Sequence, residues 1–166
     1  FESAYGMLCM KLAFAFQDYQ FLLDDAAISD DDKGIFKRIL GRTASMDETK
    51  SCFLLLTRML EIHFKKSAVV ILDEYDVPIA KASRNGYYSQ MLDVMRAMMS
   101  TTLKDNPSLA FAVITGCLKI AKESIFTGTN NFVSDTILSP RLSESFGFTQ
   151  ADVDQMLKDA DLESQS

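Results

Sequence analysis

Histidine occurs once in the 166 residues, at position 63, and that scarcity closes off two kinds of chemistry. A zinc centre needs three or four closely spaced His or Cys ligands. The three cysteines, Cys9, Cys52 and Cys117, are far apart and odd in number, and each sits in apolar sequence. Their expected state is a buried, reduced thiol. Serine-type acyl transfer has a single possible base, and His63 lies in a helical stretch, LEIHF, with no partner pattern around it. An excess of positive charge is missing too. Lys and Arg total 17 against 23 Asp and Glu, a formal net charge of −6, which argues against a broad basic face for nucleic acid but leaves a small local basic site open. No apolar run approaches the roughly 18–20 residues that a membrane span needs. The opening FESAYGMLCMKLAFAF is apolar but is interrupted by Glu2 and Lys11 and lacks the pattern of an export signal, so the expected location is the cytoplasm.

A phosphate-binding loop is also absent. That loop reads G-x-x-x-x-G-K-[ST] between a strand and a helix, because its backbone N–H groups and its lysine cradle the phosphates. Lys50-Ser51 follows Thr49 inside a helical pattern, and Lys66-Ser67 precedes a strand, so neither pair can serve. The chain begins with Phe1 instead of Met, which points to sequence upstream.

What is present is an ordinary globular composition, 48% hydrophobic and 24% charged, long enough for one domain over 1–166. Helical spacing of Tyr5, Leu8, Leu12 and Phe16 predicts a first helix within residues 1–23. Ser29 caps a second helix, with Asp30, Asp31 and Asp32 in its first turn and Gly41 at its end. Ser45 and Glu48 form a capping box that opens a third helix reaching about Phe64. The period then changes. Ala68–Leu72 is a continuous apolar run, as a strand buried on both faces of a parallel sheet would be. After a loop with Pro78, a long helix starts near Gly86, and Asn106-Pro107 stops it. Its Met-rich face at 91–99 reads as core. Leu109–Thr115 is a second buried strand, closed by Gly116. A strand–helix–strand order with two buried strands predicts a right-handed parallel βαβ unit and an α/β domain. Beyond Ser124 a short strand within 131–138 and a last helix capped by Thr149 are expected.

In open α/β sheets ligands bind at the carboxyl ends of the strands. The first strand delivers Asp73, Glu74 and, in the loop, Asp76, and the second delivers Thr115. Four apolar residues followed by Asp-Glu form the Walker B pattern. An Asp held at a strand end orients Mg²⁺ or its water, and the following Glu can orient and deprotonate an attacking water. A polar residue on the neighbouring strand, here Thr115, can sense the same water. The pattern alone does not separate this from acids that cap the next helix or face solvent. Asp76 stays open between a loop cap and a metal ligand.

Several longer motifs then carry a resemblance: ILDEYDVPIAKA (71–82), NGYY (85–88), LKDNP (103–107), FAVITGCLKIAKESIFTGTNNF (111–132) and SESFGFT (143–149). In order and content they resemble the AAA-ATPase-like family, over nearly the whole chain and most strongly over 68–149. The resemblance implies a partial P-loop NTPase-like three-layer domain with a parallel sheet. It implies that the phosphate-binding loop lies upstream of Phe1 and that a restriction-endonuclease-like nuclease domain follows Ser166. It implies ATP and Mg²⁺ as cofactors, with Asp73 the magnesium-organising acid, Glu74 the catalytic base and Thr115 the polar sensor. Lys119 stands where the family usually has Arg, which keeps the charge but loses the bidentate fork. Lys119 and Lys122 are then candidate phosphate contacts, with solvated lysines as the alternative. Glu123, Asn130 and Asn131 also match, without an assigned role. Arg141 is the best candidate for an arginine finger.

Three functions compete. The first is a nucleotide-hydrolysing switch that moves an attached domain, with nucleic acid bound only through that domain. The second is an interaction or regulatory module that keeps the fold without activity. The third is a metal-dependent nuclease on Asp73, Glu74 and Asp76, which is weakened because all three lie on one short stretch without an acid and Lys on another strand.

Overall fold

The computed structural model describes residues 1–117, 133–136, 139–142, 144–145 and 147–162. The chain divides into two compact units, Phe1–Thr129 and Asn130–Ser166. The first unit holds α1 (Glu2–Gln17), a 3₁₀ turn (Gln20–Asp24), α2 (Asp30–Leu40), α3 (Met46–Lys50), α4 (Cys52–Phe64), β1 (Ala68–Leu72), α5 (Val77–Arg84), α6 (Tyr88–Leu103) and β2 (Leu109–Ile114). The second unit holds a 3₁₀ turn (Pro140–Leu142) and α7 (Gln150–Asp159). No helix among the described residues is long and apolar enough to cross a membrane.

The caps form as the sequence dictates. Ser29 Oγ accepts from the Asp32 N–H at 3.2 Å. Ser45 Oγ accepts from the Glu48 N–H, and the Glu48 carboxylate accepts from the Ser45 N–H, which completes the capping box of α3. Thr149 and Asp152 make the same reciprocal pair at α7. Gly41 ends α2 with an ordinary negative φ, and the left-handed turn falls on Arg42 instead.

Two helices differ from expectation. The helix read over 46–64 breaks at Ser51, whose hydroxyl donates back to the Asp47 carbonyl at 2.9 Å. Such a local bond competes with helix continuation. Pro78 does not sit in a loop; it lies in the first turn of α5, where a missing N–H costs no hydrogen bond.

β1 and β2 pair in parallel, with Val69 opposite Phe111 and Ile71 opposite Val113. They are joined through α5 and α6, so the domain is α/β. The core lies among the helices. Phe16, Leu22, Phe36, Met59, Ile79, Val94, Met98 and Met99 are almost fully buried, and the Phe16 and Phe36 rings meet at 4.9 Å. Burying each such side chain contributes about 1.5–3 kcal/mol. Leu72 and Tyr75 pack against this core.

The strands are not buried on both faces as expected. Val69, Ile71, Phe111 and Val113 share one face and are 47%, 73%, 57% and 46% exposed. A run that is apolar at every position permits burial of both faces without specifying a cover for each. Cys9 is half-buried, Cys52 buried and Cys117 exposed, so only one thiol is enclosed as expected. Burial pushes the Cys52 thiol up to about 12, which keeps it neutral and inert. Cys117 is exposed because it follows β2 in the loop at the strand end.

Of the strand expected within 131–138, residues 133–136 are described and form no strand; the others lie outside the described residues.

Candidate functional site

Both strands run in the same direction, so their carboxyl ends emerge side by side. The pairing continues past the strands. Thr115 N–H donates to the Leu72 carbonyl at 2.9 Å, and Tyr75 N–H donates to the Thr115 carbonyl at 3.2 Å. This fixes Thr115 beside the acidic turn. Its hydroxyl donates to Asp73 Oδ1. The Glu74 backbone N–H donates to the same oxygen at 2.9 Å. Asp73 Oδ1 is therefore held by two donors. No hydrogen bond to Asp73 Oδ2 is formed among the described residues, and Asp73, Glu74 and Thr115 are all exposed.

Glu74 adopts a left-handed backbone, φ +52°. For a non-glycine residue this conformation is strained by about 1–2 kcal/mol. The turn it makes sends the chain from β1 into α5.

Asp76 lies between β1 and α5. It is only 3% exposed and occupies the N-cap position of α5, yet its side chain caps no N–H of that helix. Its Oδ2 accepts from the Cys117 N–H at 3.2 Å, across the gap to the β2 exit. Gly116 passes close by. A Cβ there would lie 2.5 Å from the Tyr75 ring and 2.7 Å from Asp76 Oδ1. Burial, followed by the nearby Asp76 charge, raises the Tyr75 hydroxyl above its ordinary range. Sequence reading missed Asp76 and Gly116 as a pair. A glycine directly after a strand was the available signal, since it often marks close backbone approach.

The structure brings together Asp73, Glu74 and Thr115. Lys119 and Lys122, with Glu123, Asn130 and Asn131, lie outside the described residues. Arg141 is paired with Asp135 within the second unit. His63 has an acidic partner after all, Asp25 at 2.8 Å, but no serine completes a triad in the described contacts of this pair.

The donors at the strand ends are carboxylate and hydroxyl oxygens. That set suits Mg²⁺, which binds through one or two carboxylates and keeps several waters. Among the described residues, no group of three or more His, Cys, Asp or Glu side chains is placed to hold a metal by itself. The carboxylate cluster that a nuclease reading requires is therefore not formed by Asp73, Glu74 and Asp76, because Asp76 is buried and turned toward Cys117.

The chain is 31% identical over 121 residues to a protein of Azotobacter chroococcum mcd 1, described as an uncharacterized protein in the vnfD 5' region. The match takes in 72% of this chain and 23% of that protein's length. No solved structure matches the chain. The family model described as "Predicted AAA-ATPase" matches residues 13–126, a span that contains β1, β2 and the acidic turn between β1 and α5, and the chain belongs to this AAA-ATPase-like family.

Proposed function

We propose that this chain carries the magnesium-organising and water-activating half of an ATP-hydrolysing site. The observation that supports it is the junction of Asp73, Glu74 and Thr115 at the ends of two neighbouring parallel strands, with Asp73 exposed and its Oδ1 doubly held. Asp73 would hold the Mg²⁺ or a water bound to it. Glu74 would accept the proton of the attacking water, and the Thr115 hydroxyl would orient that water or the terminal phosphate. Bound Mg²⁺ would supply positive charge that neutralises the phosphate oxygens. The phosphate cradle would come from a Gly-rich loop outside residues 1–166, since no such sequence occurs within them. Lys119 and Lys122 are proposed phosphate contacts. We further propose a cytoplasmic protein in which hydrolysis moves an attached nuclease-like domain, the only route to nucleic acid.

The second reading is an interaction module that keeps the ATPase fold without turnover. The missing Gly-rich loop favours it for residues 1–166 taken alone. Calorimetry with Mg·ATP separates the two. Residues 1–166 should bind no more tightly than about millimolar, roughly −4 kcal/mol, and the full-length gene product should bind far more tightly. Micromolar binding by residues 1–166 would overturn the division of the site. Equally weak binding by the full-length product would favour the interaction module.

A further inference from the structure

Besides the Thr115 hydroxyl bond to Asp73, the exits of β1 and β2 are stitched together at three points. Two are backbone bonds, Thr115 N–H to the Leu72 carbonyl and Tyr75 N–H to the Thr115 carbonyl. The third is a side chain, Asp76 Oδ2, which accepts from the Cys117 N–H at 3.2 Å. Asp76 is 3% exposed, so water competes little for this bond. Burying a carboxylate is costly unless it is well bonded. An aspartate needed only to start α5 would cap the N–H groups of that helix, and Asp76 does not. Its carboxylate reaches across to the loop after β2. Gly116 makes room for it, because a side chain at 116 would collide with both Asp76 and Tyr75. Thr115 lies two residues before Cys117. The backbone that aims the Thr115 hydroxyl at Asp73 is thus held from both sides, by Leu72 and Tyr75 before it and by Asp76 after it.

We propose that Asp76 is a positioning residue of the candidate ATP site. It acts through the Cys117 amide to hold Thr115 against Asp73, and it touches neither nucleotide nor metal. The inference rests on the proposed function above.

The test uses the full-length gene product and the variants Asp76→Ala, Asp76→Asn, Thr115→Ala, Glu74→Gln and the double variant D76A/T115A. In D76A, amide hydrogen exchange across Thr115–Cys117 should speed up without nucleotide. In the same variant kcat should fall about tenfold or more while KM for ATP stays within about twofold, as expected when a reacting geometry is loosened without loss of binding. D76N should recover most of that loss, because its amide oxygen still accepts from the Cys117 N–H. The double variant should be no slower than T115A, because Asp76 works through Thr115. Unchanged exchange in D76A, losses that multiply in the double variant, or a D76N variant as slow as D76A would each overturn the inference. Should D76A fail to fold, D76N decides: kcat within about threefold of wild type supports the inference, and a folded D76N slower by about tenfold overturns it. A wild-type product without ATPase activity, or one whose turnover survives E74Q, overturns the proposed function and this inference with it. Loss in E74Q with an unaltered D76A overturns this inference alone.

Discussion

Glu74 holds a left-handed backbone at the end of a strand, where glycine would be at ease. Replacing it by glycine should raise stability by about 0.5–1 kcal/mol, since relief of the steric penalty exceeds the added freedom of the unfolded chain. The same change removes the carboxylate assigned to proton transfer. A higher denaturation midpoint for E74G with lost turnover is the expected outcome, and a lower midpoint would show that the Glu74 side chain holds the turn. Glu48 is a second residue with a measurable signature. The Arg38 guanidinium, and then the Ser45 N–H, hold its carboxyl down to about 2 from an ordinary 4.5. A lowered folded value means stabilisation that is complete above pH 4.5 and lost as pH falls toward 2. Glu48→Gln should therefore be less stable than wild type at neutral pH and lose less between these limits. Denaturant midpoints measured across that window check the sign, and parallel curves would contradict it. Asp73 and Glu74 were legible from the sequence because an apolar run ending in Asp-Glu is a local pattern. The third acid, Asp76, was not, because the Cys117 N–H that it accepts from lies in the loop after the other strand, 41 positions away.

At the scale of elements, the approach of the β1–α5 turn to the β2 exit depends on Gly116. A methyl group there would push on both the Tyr75 ring and the Asp76 carboxylate. Gly116→Ala should cost about 1–3 kcal/mol, the range for overpacking at a close contact. Gly6→Ala is the control, since Gly6 lies within α1 with nothing within 4 Å of the added carbon. It should stabilise by about 0.5–1 kcal/mol through helix propensity. Thermal or denaturant unfolding of the two variants should show shifts of opposite sign; the same sign would contradict the close approach. The element order and most boundaries could be read from caps and periodicity, as Ser29, Ser45 and Thr149 show. The break at Ser51 could not, because serine is tolerated within helices and its back-bond is a choice of rotamer. Pro78 carried an ambiguous signal, being equally suited to a loop and to a first helical turn.

The first unit presents a helical core beside a two-stranded parallel sheet, with the acidic turn at the carboxyl ends of the strands. Four apolar residues on the outer sheet face stay exposed, which periodicity alone could not foretell, since Val and Ile on both faces of a strand indicate only that each face tolerates a cover. Family membership and the strand-end geometry meet at the same residues: the matched span 13–126 contains Asp73, Glu74 and Thr115. Only 23% of the Azotobacter relative's length is matched, so the activity of a longer product belongs to the proposal and requires a direct test. The most direct is single-turnover and steady-state ATP hydrolysis by the full-length gene product carrying Glu74→Gln. The variant is expected to bind Mg·ATP with an affinity close to wild type and to turn it over at least about a hundredfold more slowly, the loss typical of removing a general base. Turnover at the wild-type rate would contradict the assignment of Glu74 and, with it, the reading of the Asp73–Glu74–Thr115 junction as a hydrolytic site.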